Sequence, residues 1–231
     1  MLDTLSIPNR ILARLPRKDY HRLLPALELV SLKFGQVIYR AGEAIKHVYF
    51  PNDCMVSLLT PMGDREVSEV GLIGKEGVAG VQAALGSRKS SFQSIIQGGG
   101  TAMRLSTSRF NRELKRSGAL KRETDRFAHM LMVQFSQTAG CNRYHPVEQR
   151  LARWLLMTRD RLNSNEFRLT QEFLAFMLGV RRPRVSGAAG EFKKKGLIRY
   201  SRGRITILEE KGLLASSCAC YERVKNVYRD A

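Results

Sequence analysis

Arg181, Arg182 and Arg184 place three guanidinium groups within four positions, with Ser186 two residues further on. Guanidinium is a planar, permanently charged fork that matches phosphate oxygens and the guanine O6/N7 edge, so the grouping suits nucleic-acid recognition. Lys193, Lys194 and Lys195 follow, and Arg202 and Arg204 flank Gly203. Cys141 and His145 stand four residues apart, a pair that could act as nucleophile and base or as two metal ligands. No third group stands in evident position beside them. Cys218 and Cys220 close no relaxed local bridge, and two ligands make no zinc site. No metal site is therefore expected. His21, His47, His129 and His145 are isolated from one another in sequence, which favours a structural role for each.

The elements that must carry the arginines are legible in residues 170–190. They read as a helix-turn-helix, whose second helix enters the major groove of DNA. Thr170 suits the N-cap of the first helix, which opens at Gln171. Ala175 is small enough for close helix approach, and Gly179 supplies the positive φ that a tight turn needs. Leu174, Leu178, Val180, Val185 and Ala188 recur at helical spacing and would bury the seam. Arg181, Arg182 and Arg184 then open the second helix. Downstream, Leu197–Tyr200 and Arg204–Ile207 around Ser201-Arg202-Gly203 read as a β-hairpin. Such a basic hairpin beside a reading helix is a wing, and Arg202 and Arg204 at its tip would reach phosphates. The competing reading of 170–190 is an ordinary helical hairpin.

Bulk composition agrees with a nucleic-acid partner. The 231 residues carry a formal charge of +18 with 43% hydrophobic content, which fits one large or two modest globular domains. Residues 168–204 hold ten Lys or Arg against two Asp or Glu, a surplus of eight. A basic patch that coincides with a helix-turn-helix is the footprint of a DNA reader. Charge alone would equally suit RNA or an anionic membrane. No apolar run approaches the roughly 20 residues needed to span a bilayer, and no export signal follows Met1, so a cytoplasmic protein is expected. The four cysteines are too few and too scattered for a disulfide framework.

Upstream, residues 9–30 suggest short helices anchored by Ile11, Leu12, Leu15, Leu23, Leu24 and Leu27. Short apolar or alternating segments then follow at 37–39, 47–50, 55–59, 66–70, 94–96 and 102–105, the pattern of a β-barrel or sandwich. Gly71, Gly74, Gly77 and Gly80 recur every third residue. They match neither the dinucleotide fingerprint nor the P-loop. They could admit a phosphate close to the backbone or serve as turns of a tight β-roll. From 119 to 141 the period is helical, with Leu120, Phe127, Leu131, Phe135 and Thr138 as a stripe widened by Met130 and Met132. Such a stripe suits a twin helix in a dimer, or the chain's own core. Gly140 to His145 reads as a hinge, and Pro146 suits the start of the next helix.

With β-roll, long helix, hinge and winged helix in that order, the sequence resembles the Crp/Fnr family of bacterial transcription regulators. The likeness is strongest from His145-Pro146-Val147-Glu148-Gln149-Arg150 through the helix-turn-helix and wing. The tail Ser217-Cys218-Ala219-Cys220-Tyr221 is similar to one branch of the family. The resemblance implies an α+β chain in three parts. These are a β-roll effector domain with short N-terminal helices (1–118), a dimerisation helix and hinge (119–142) and a winged helix-turn-helix with a C-terminal tail (143–231). It further implies a homodimer on a two-fold symmetric operator in double-stranded DNA, with RNA polymerase a partner only of an activator. Leu120, Phe127, Leu131, Phe135 and Thr138 would form the dimer face. Effector contacts would fall at Gly77, Gly80, Val81, Arg88, Ser90, Ser91, Phe135 and Ser136. DNA contacts would fall at Thr170, Gln171, Arg181, Arg182, Arg184, Ser186, Lys193, Arg202 and Arg204.

Departures from the family pattern shape these expectations. Cyclic-AMP-binding members carry a glutamate for the ribose and an arginine for the phosphate. Here Val78-Ala79-Gly80-Val81-Gln82 and Ser90-Ser91-Phe92 hold neither charge in register, so cyclic AMP is not the expected effector. No cysteine precedes Cys54, which removes the N-terminal cluster ligands of oxygen-sensing members, so no iron–sulfur centre is expected. In the reading helix, the family's Arg, Glu and Arg positions become Arg182, Pro183 and Gly187, so the operator should differ. Two other functions compete: a redox regulator working through Cys218 and Cys220, and an enzyme using Cys141 and His145.

Overall fold

The computed structural model describes residues 7–63 and 67–230. The chain divides into two compact units, one of residues 1–58 and 72–131, the other of residues 59–71 and 132–230.

The first unit opens with α1 (Arg10–Ala13) and α2 (Arg17–Leu23), followed by a short 3-10 turn at Leu24–Ala26. Asn9 is the N-cap of α1: its side-chain oxygen accepts from the amides of Ile11 and Leu12. Its Nδ2 donates to the carbonyls of Pro51 (3.0 Å) and Gly77 (2.9 Å), so one buried amide joins three segments. Strands β1 (Glu28–Leu32), β2 (Val37–Tyr39), β3 (His47–Pro51), β4 (Met55–Pro61), β5 (Val67–Ile73), β6 (Gln93–Gly98) and β7 (Gly100–Ser106) follow. They form two sheets, ordered β1-β7-β3 and β2-β6-β4-β5, a jelly-roll-like fold. Five of the six expected segments coincide with strands; of the sixth, 67–70 lies in β5 and Glu66 falls outside the described residues. Residues 28–30, expected to be helical, are instead in β1, paired antiparallel with β7. The helical spacing of Leu23, Leu24 and Leu27 runs into this strand, and Pro25 ends the helix before it. Phe50 and Phe110 meet edge to face at 6.0 Å inside the unit, both fully buried.

Helix α3 (Thr107–Arg116) is capped by Ser106, and α4 (Gly118–Tyr144) begins beside Ser117, whose hydroxyl accepts from the Leu120 amide at 3.1 Å. Helix α4 runs unbroken through Gly140 to Tyr144, so the expected hinge shrinks to His145 and Pro146. One helical glycine costs only about 1 kcal/mol, too little to break a 27-residue helix.

In the second unit α5 (Val147–Leu162) is the central helix, burying Leu151, Trp154, Leu155 and Leu156. Strand β8 (Glu166–Arg168) precedes α6 (Gln171–Leu178) and α7 (Arg182–Lys194). Strands β9 (Ile198–Ser201) and β10 (Arg204–Ile207) form the hairpin, and β10 lies between β8 and β9. Helices α8 (Glu210–Ala215) and α9 (Cys220–Asp230) complete the chain. Glu69 of β5 belongs here too: Trp154 Nε1 donates to it at 2.8 Å. No helix among the described residues is long and apolar enough to cross a membrane.

Candidate nucleic-acid interface

Local chemistry builds the helix-turn-helix as its residues require. Thr170 Oγ1 accepts from the Phe173 amide at 3.1 Å and caps α6. Gly179 closes that helix at φ +60°, with its amide on the Phe176 carbonyl. Leu174, Leu178, Val185 and Ala188 are buried in the seam, and Ala175 is 7% exposed. Arg150 of α5 adds a cap that the sequence did not reveal: its guanidinium donates to the carbonyl of Leu178, satisfying an open acceptor at the end of α6.

Helix α7 presents its first turn to solvent. Arg181, Arg182, Pro183 and Arg184 are all exposed, and Pro183 sits in the first turn, where its missing N–H costs nothing. Ser186 is half-buried and donates to Gln171 Oε1 at 2.6 Å, joining the two helices. Lys193, Lys194 and Lys195 are exposed at the far end. The wing turn is built at Arg202 (φ +48°) and Gly203 (φ +72°), both left-handed, as a two-residue hairpin turn of the primed type requires. Thr170, Gln171, Arg182, Ser201, Arg202 and Gly203 border a cleft of about 320 Å³, so α6, α7 and the wing share one polar, cationic concavity. Tyr200 also lines it; burial pushes its hydroxyl up against the opposing pull of Arg182, and the neutral phenol donates to the Leu169 carbonyl at 2.9 Å. Arg204 differs from Arg202: it lies beside the turn and pairs with Glu166 at 2.6 Å.

Other expected sites come out differently. Leu120, Phe127 and Leu131, expected toward a twin helix, are 0%, 0% and 4% exposed and are sealed in the chain's own core. Thr138 is buried too and accepts from Arg153 at 3.1 Å; Phe135 is half-buried. The face of α4 left open carries Arg122, Asp125, His129, Met132, Ser136, Ala139 and Arg143, spaced alternately by three and four. Sequence periodicity marked the apolar stripe correctly but not which face stays uncovered.

The glycine run serves packing. At Gly77 a Cβ would lie 2.2 Å from the Phe127 ring, and at Gly71 it would lie 2.6 Å from that of Phe135. Gly80 has φ +90° and faces the Tyr39 hydroxyl. Val81 is buried, and the buried Ser90 hydroxyl donates to the Phe92 carbonyl at 2.7 Å. Arg88, Ser91 and Ser136 are exposed. A cleft of about 440 Å³ in the β-roll lies on other residues, among them Tyr39, Glu43, Lys46, His47 and Tyr49.

The cysteines are not scattered in space. Cys141, His145, Cys218 and Cys220 bring their ligand atoms within 4.8 Å of one another. Cys141 Sγ and Cys218 Sγ are 3.5 Å apart, and Cys220 Sγ lies 3.6 Å from His145 Nδ1. The hydrogen bond between Cys141 and Cys218 splits the pair: it pushes Cys141 up and draws Cys218 down, to about 5. Burial pushes Cys220 up. Cys54 is buried elsewhere, its thiol pushed up to about 12 by burial.

Comparison with known proteins places this geometry. The family model of the Crp-like helix-turn-helix domain matches residues 149–216, and that of the cyclic nucleotide-binding domain matches residues 29–117. No curated protein matches the chain. Among solved structures, a transcriptional regulator of the Crp/Fnr family from Eubacterium rectale is 16% identical with a TM-score of 0.66, covering 93% of this chain and 95% of its own. FixK2 from Bradyrhizobium japonicum is 14% identical with a TM-score of 0.71, covering 84% and 98%. The c-di-GMP responsive global regulator CLP of Xanthomonas campestris is 14% identical with a TM-score of 0.64, covering 83% and 99%. At these identities the likeness is one of fold.

Proposed function

We propose that this chain is a transcription regulator of the Crp/Fnr family, a reading its matches to the Crp-like helix-turn-helix and cyclic nucleotide-binding domains support, and that it acts as a homodimer reading a two-fold symmetric operator in double-stranded DNA. The observation that carries this reading is the exposed first turn of α7, with Arg181, Arg182 and Arg184 set beside the wing. In this reading Arg182 and Arg184 grip base edges, a bidentate contact to guanine contributing about 1–3 kcal/mol of discrimination. Arg181, Lys193 and Arg202 hold phosphates, Thr170 and Gln171 meet the backbone from α6, and Ser186 orients Gln171. Arg204 acts on phosphate only by giving up Glu166, so its share is smaller. The dimer forms along the open face of α4 around Met132, which is 64% exposed. The β-roll biases the arrangement of the two reading helices through the break at His145–Pro146, with any effector assigned near Arg88 and Ser91.

Selection of duplex DNA from a random pool tests this. A symmetric site with half-site centres about one helical turn apart, lost on Arg182→Ala, is the expected result. Sequence-blind binding by protein shown to be dimeric would overturn it. The redox alternative through Cys218 and Cys220 gains one supporting observation, a third thiol close by, with Cys141 Sγ 3.5 Å from Cys218 Sγ.

A further inference from the structure

We infer that Cys141, His145, Cys218 and Cys220 form a binding site for a single thiophilic divalent cation, with the geometry of zinc, which clasps the end of the long helix to the C-terminal tail. The donors come from two places far apart in sequence. Cys141 lies in the last turn of α4 and His145 just past its end, its amide donating to the Cys141 carbonyl at 3.1 Å. Cys218 sits in the turn after α8, and Cys220 opens α9.

Two of the separations are close to those one tetrahedral ion sets, and the others lie within 4.8 Å. Zinc binds thiolate at about 2.3 Å and imidazole at about 2.0–2.1 Å, which puts tetrahedral sulfurs about 3.8 Å apart and sulfur about 3.6 Å from nitrogen. The observed 3.5 Å between Cys141 and Cys218 and 3.6 Å between Cys220 and His145 fall close to those values. A disulfide would need its sulfurs at about 2.05 Å, and all the cysteines are free. The common iron–sulfur clusters take four thiolates spread around two or four irons; here three thiols and an imidazole crowd within 4.8 Å. Three sulfurs with one imidazole is a closed donor set, characteristic of structural zinc rather than of a catalytic centre.

The surroundings supply the charge balance. Three thiolates on a divalent ion leave one net negative charge. Arg153 is 7% exposed, acts electrostatically on Cys141 and Cys220, and makes no ion pair with a carboxylate among the described residues. Its Nε and Nη1 are buried without a hydrogen-bond partner. A buried guanidinium without a carboxylate partner is poorly compensated, whereas beside a metal–thiolate group it gains its counter-charge. Cys141, Cys218 and Cys220 are 0%, 5% and 6% exposed, so water is largely excluded.

The clasp closes the chain around the whole winged helix, since Cys141 and Cys218 are 77 residues apart. Helix α9 is already fastened nearby: Tyr221 donates to Asp160 at 2.8 Å, and Gln134 donates to the Tyr228 hydroxyl at 3.1 Å. Arg150, within electrostatic reach of Cys141, caps the first helix of the DNA-reading pair. The ion therefore fixes α4, α5 and α9 as one support beneath the reading helix, and binding only the folded form stabilises that form by mass action.

The test uses the full-length protein, reduced and free of metal, titrated with zinc against a competing chelating dye and with cobalt(II) by absorbance. One ion per chain, with thiolate-to-cobalt charge transfer and tetrahedral d–d bands, is expected. Cys141→Ser and Cys220→Ser should each weaken zinc by more than about 100-fold, beyond the 10- to 100-fold that changes around the ligands cost. Cys54→Ser should leave binding intact. Because a ligand variant may misfold, wild-type protein stripped and reloaded with zinc is compared by thermal melting, and reloading should raise the midpoint. Failure of reduced, folded wild type to compete with the dye would overturn the proposal. So would equal loss in Cys54→Ser, or fewer than four titratable thiols in freshly isolated protein denatured in the presence of a chelator, which would favour a disulfide.

Discussion

Ser186 Oγ lies 2.6 Å from Gln171 Oε1 and ties the first turn of α6 to the middle of the reading helix. The bond consumes the amide oxygen of Gln171 and turns its Nε2, a donor only, away from Ser186. Ser186→Ala should lower stability by about 1 kcal/mol. Gln171→Ala should do the same, and the double variant should lose less than the sum of the two. A double-mutant cycle by urea unfolding, repeated for DNA affinity, checks this. Full additivity would show that the bond contributes nothing in solution.

Arg202 occupies a left-handed turn position that ordinary side chains reach only at about 1–2 kcal/mol. Asparagine or glycine would suit the turn better, yet the chain places a cation there. Arg202→Gly should therefore stabilise the fold while weakening DNA binding. In a dimer it should reduce the slope of log affinity against log salt by about 2, one phosphate per protomer. An unchanged slope would remove Arg202 from the interface.

Gly187 and Gly190 lie within α7, and a Cβ at either would meet open space. Neither is needed for packing or for positive φ, and each costs the helix about 1 kcal/mol relative to alanine. Gly190→Ala and Gly187→Ala should each raise the melting temperature. Gly187 is exposed one residue past Ser186, on the helix proposed to read DNA, so its variant should also lower affinity for the selected DNA. Equal DNA affinity in both variants would exclude close approach of DNA at Gly187.

Asp19 is buried and accepts from Ser117 at 2.7 Å and Arg22 at 3.0 Å. The Ser117 hydrogen bond holds its carboxyl below the ordinary 3.8, against the opposing effect of burial. A carboxyl with a lowered folded pKa binds its proton more readily in the unfolded chain. Its stabilisation is therefore complete above the unfolded value and is lost as pH falls through the folded one. Asp19→Asn should cost more stability at pH 7 than at pH 3, measured by urea midpoints across that range. A constant difference would show no linkage.

Met132 stands on an exposed face of α4, among side chains spaced by three and four. That spacing keeps the residues on one side of the helix, with Met132 and Ala139 its apolar members. If the proposed dimer forms along this face, Met132→Glu should leave the chain monomeric in sedimentation and abolish binding to the selected DNA without unfolding the chain. A dimer that survives would place the interface elsewhere.

Sequence and tertiary structure divide the protein along a physical line. Thr170 as cap, Gly179 as turn, Pro183 in a first helical turn and Arg202-Gly203 as a hairpin were legible because backbone sterics and hydrogen bonding act over four or five residues. The strands at 37–39, 47–50 and 102–105 were legible for the same reason, as was the order of elements that carried the family resemblance. Strand β1 was not, because leucines at helical spacing run into it and only pairing with β7, some 70 residues away, selects the extended form. Periodicity marks a helix's apolar face but not what covers it, so Leu120, Phe127 and Leu131 pointed to a partner while the chain's own core had taken them. Cys141 and Cys218 are separated by 77 residues, and no local pattern encodes their meeting. Folding α5 and α9 against the end of α4 brings the four donors within reach of one ion. The sequence by itself determined the parts and the basic reading head; tertiary packing alone decided which faces stay open and which distant side chains converge.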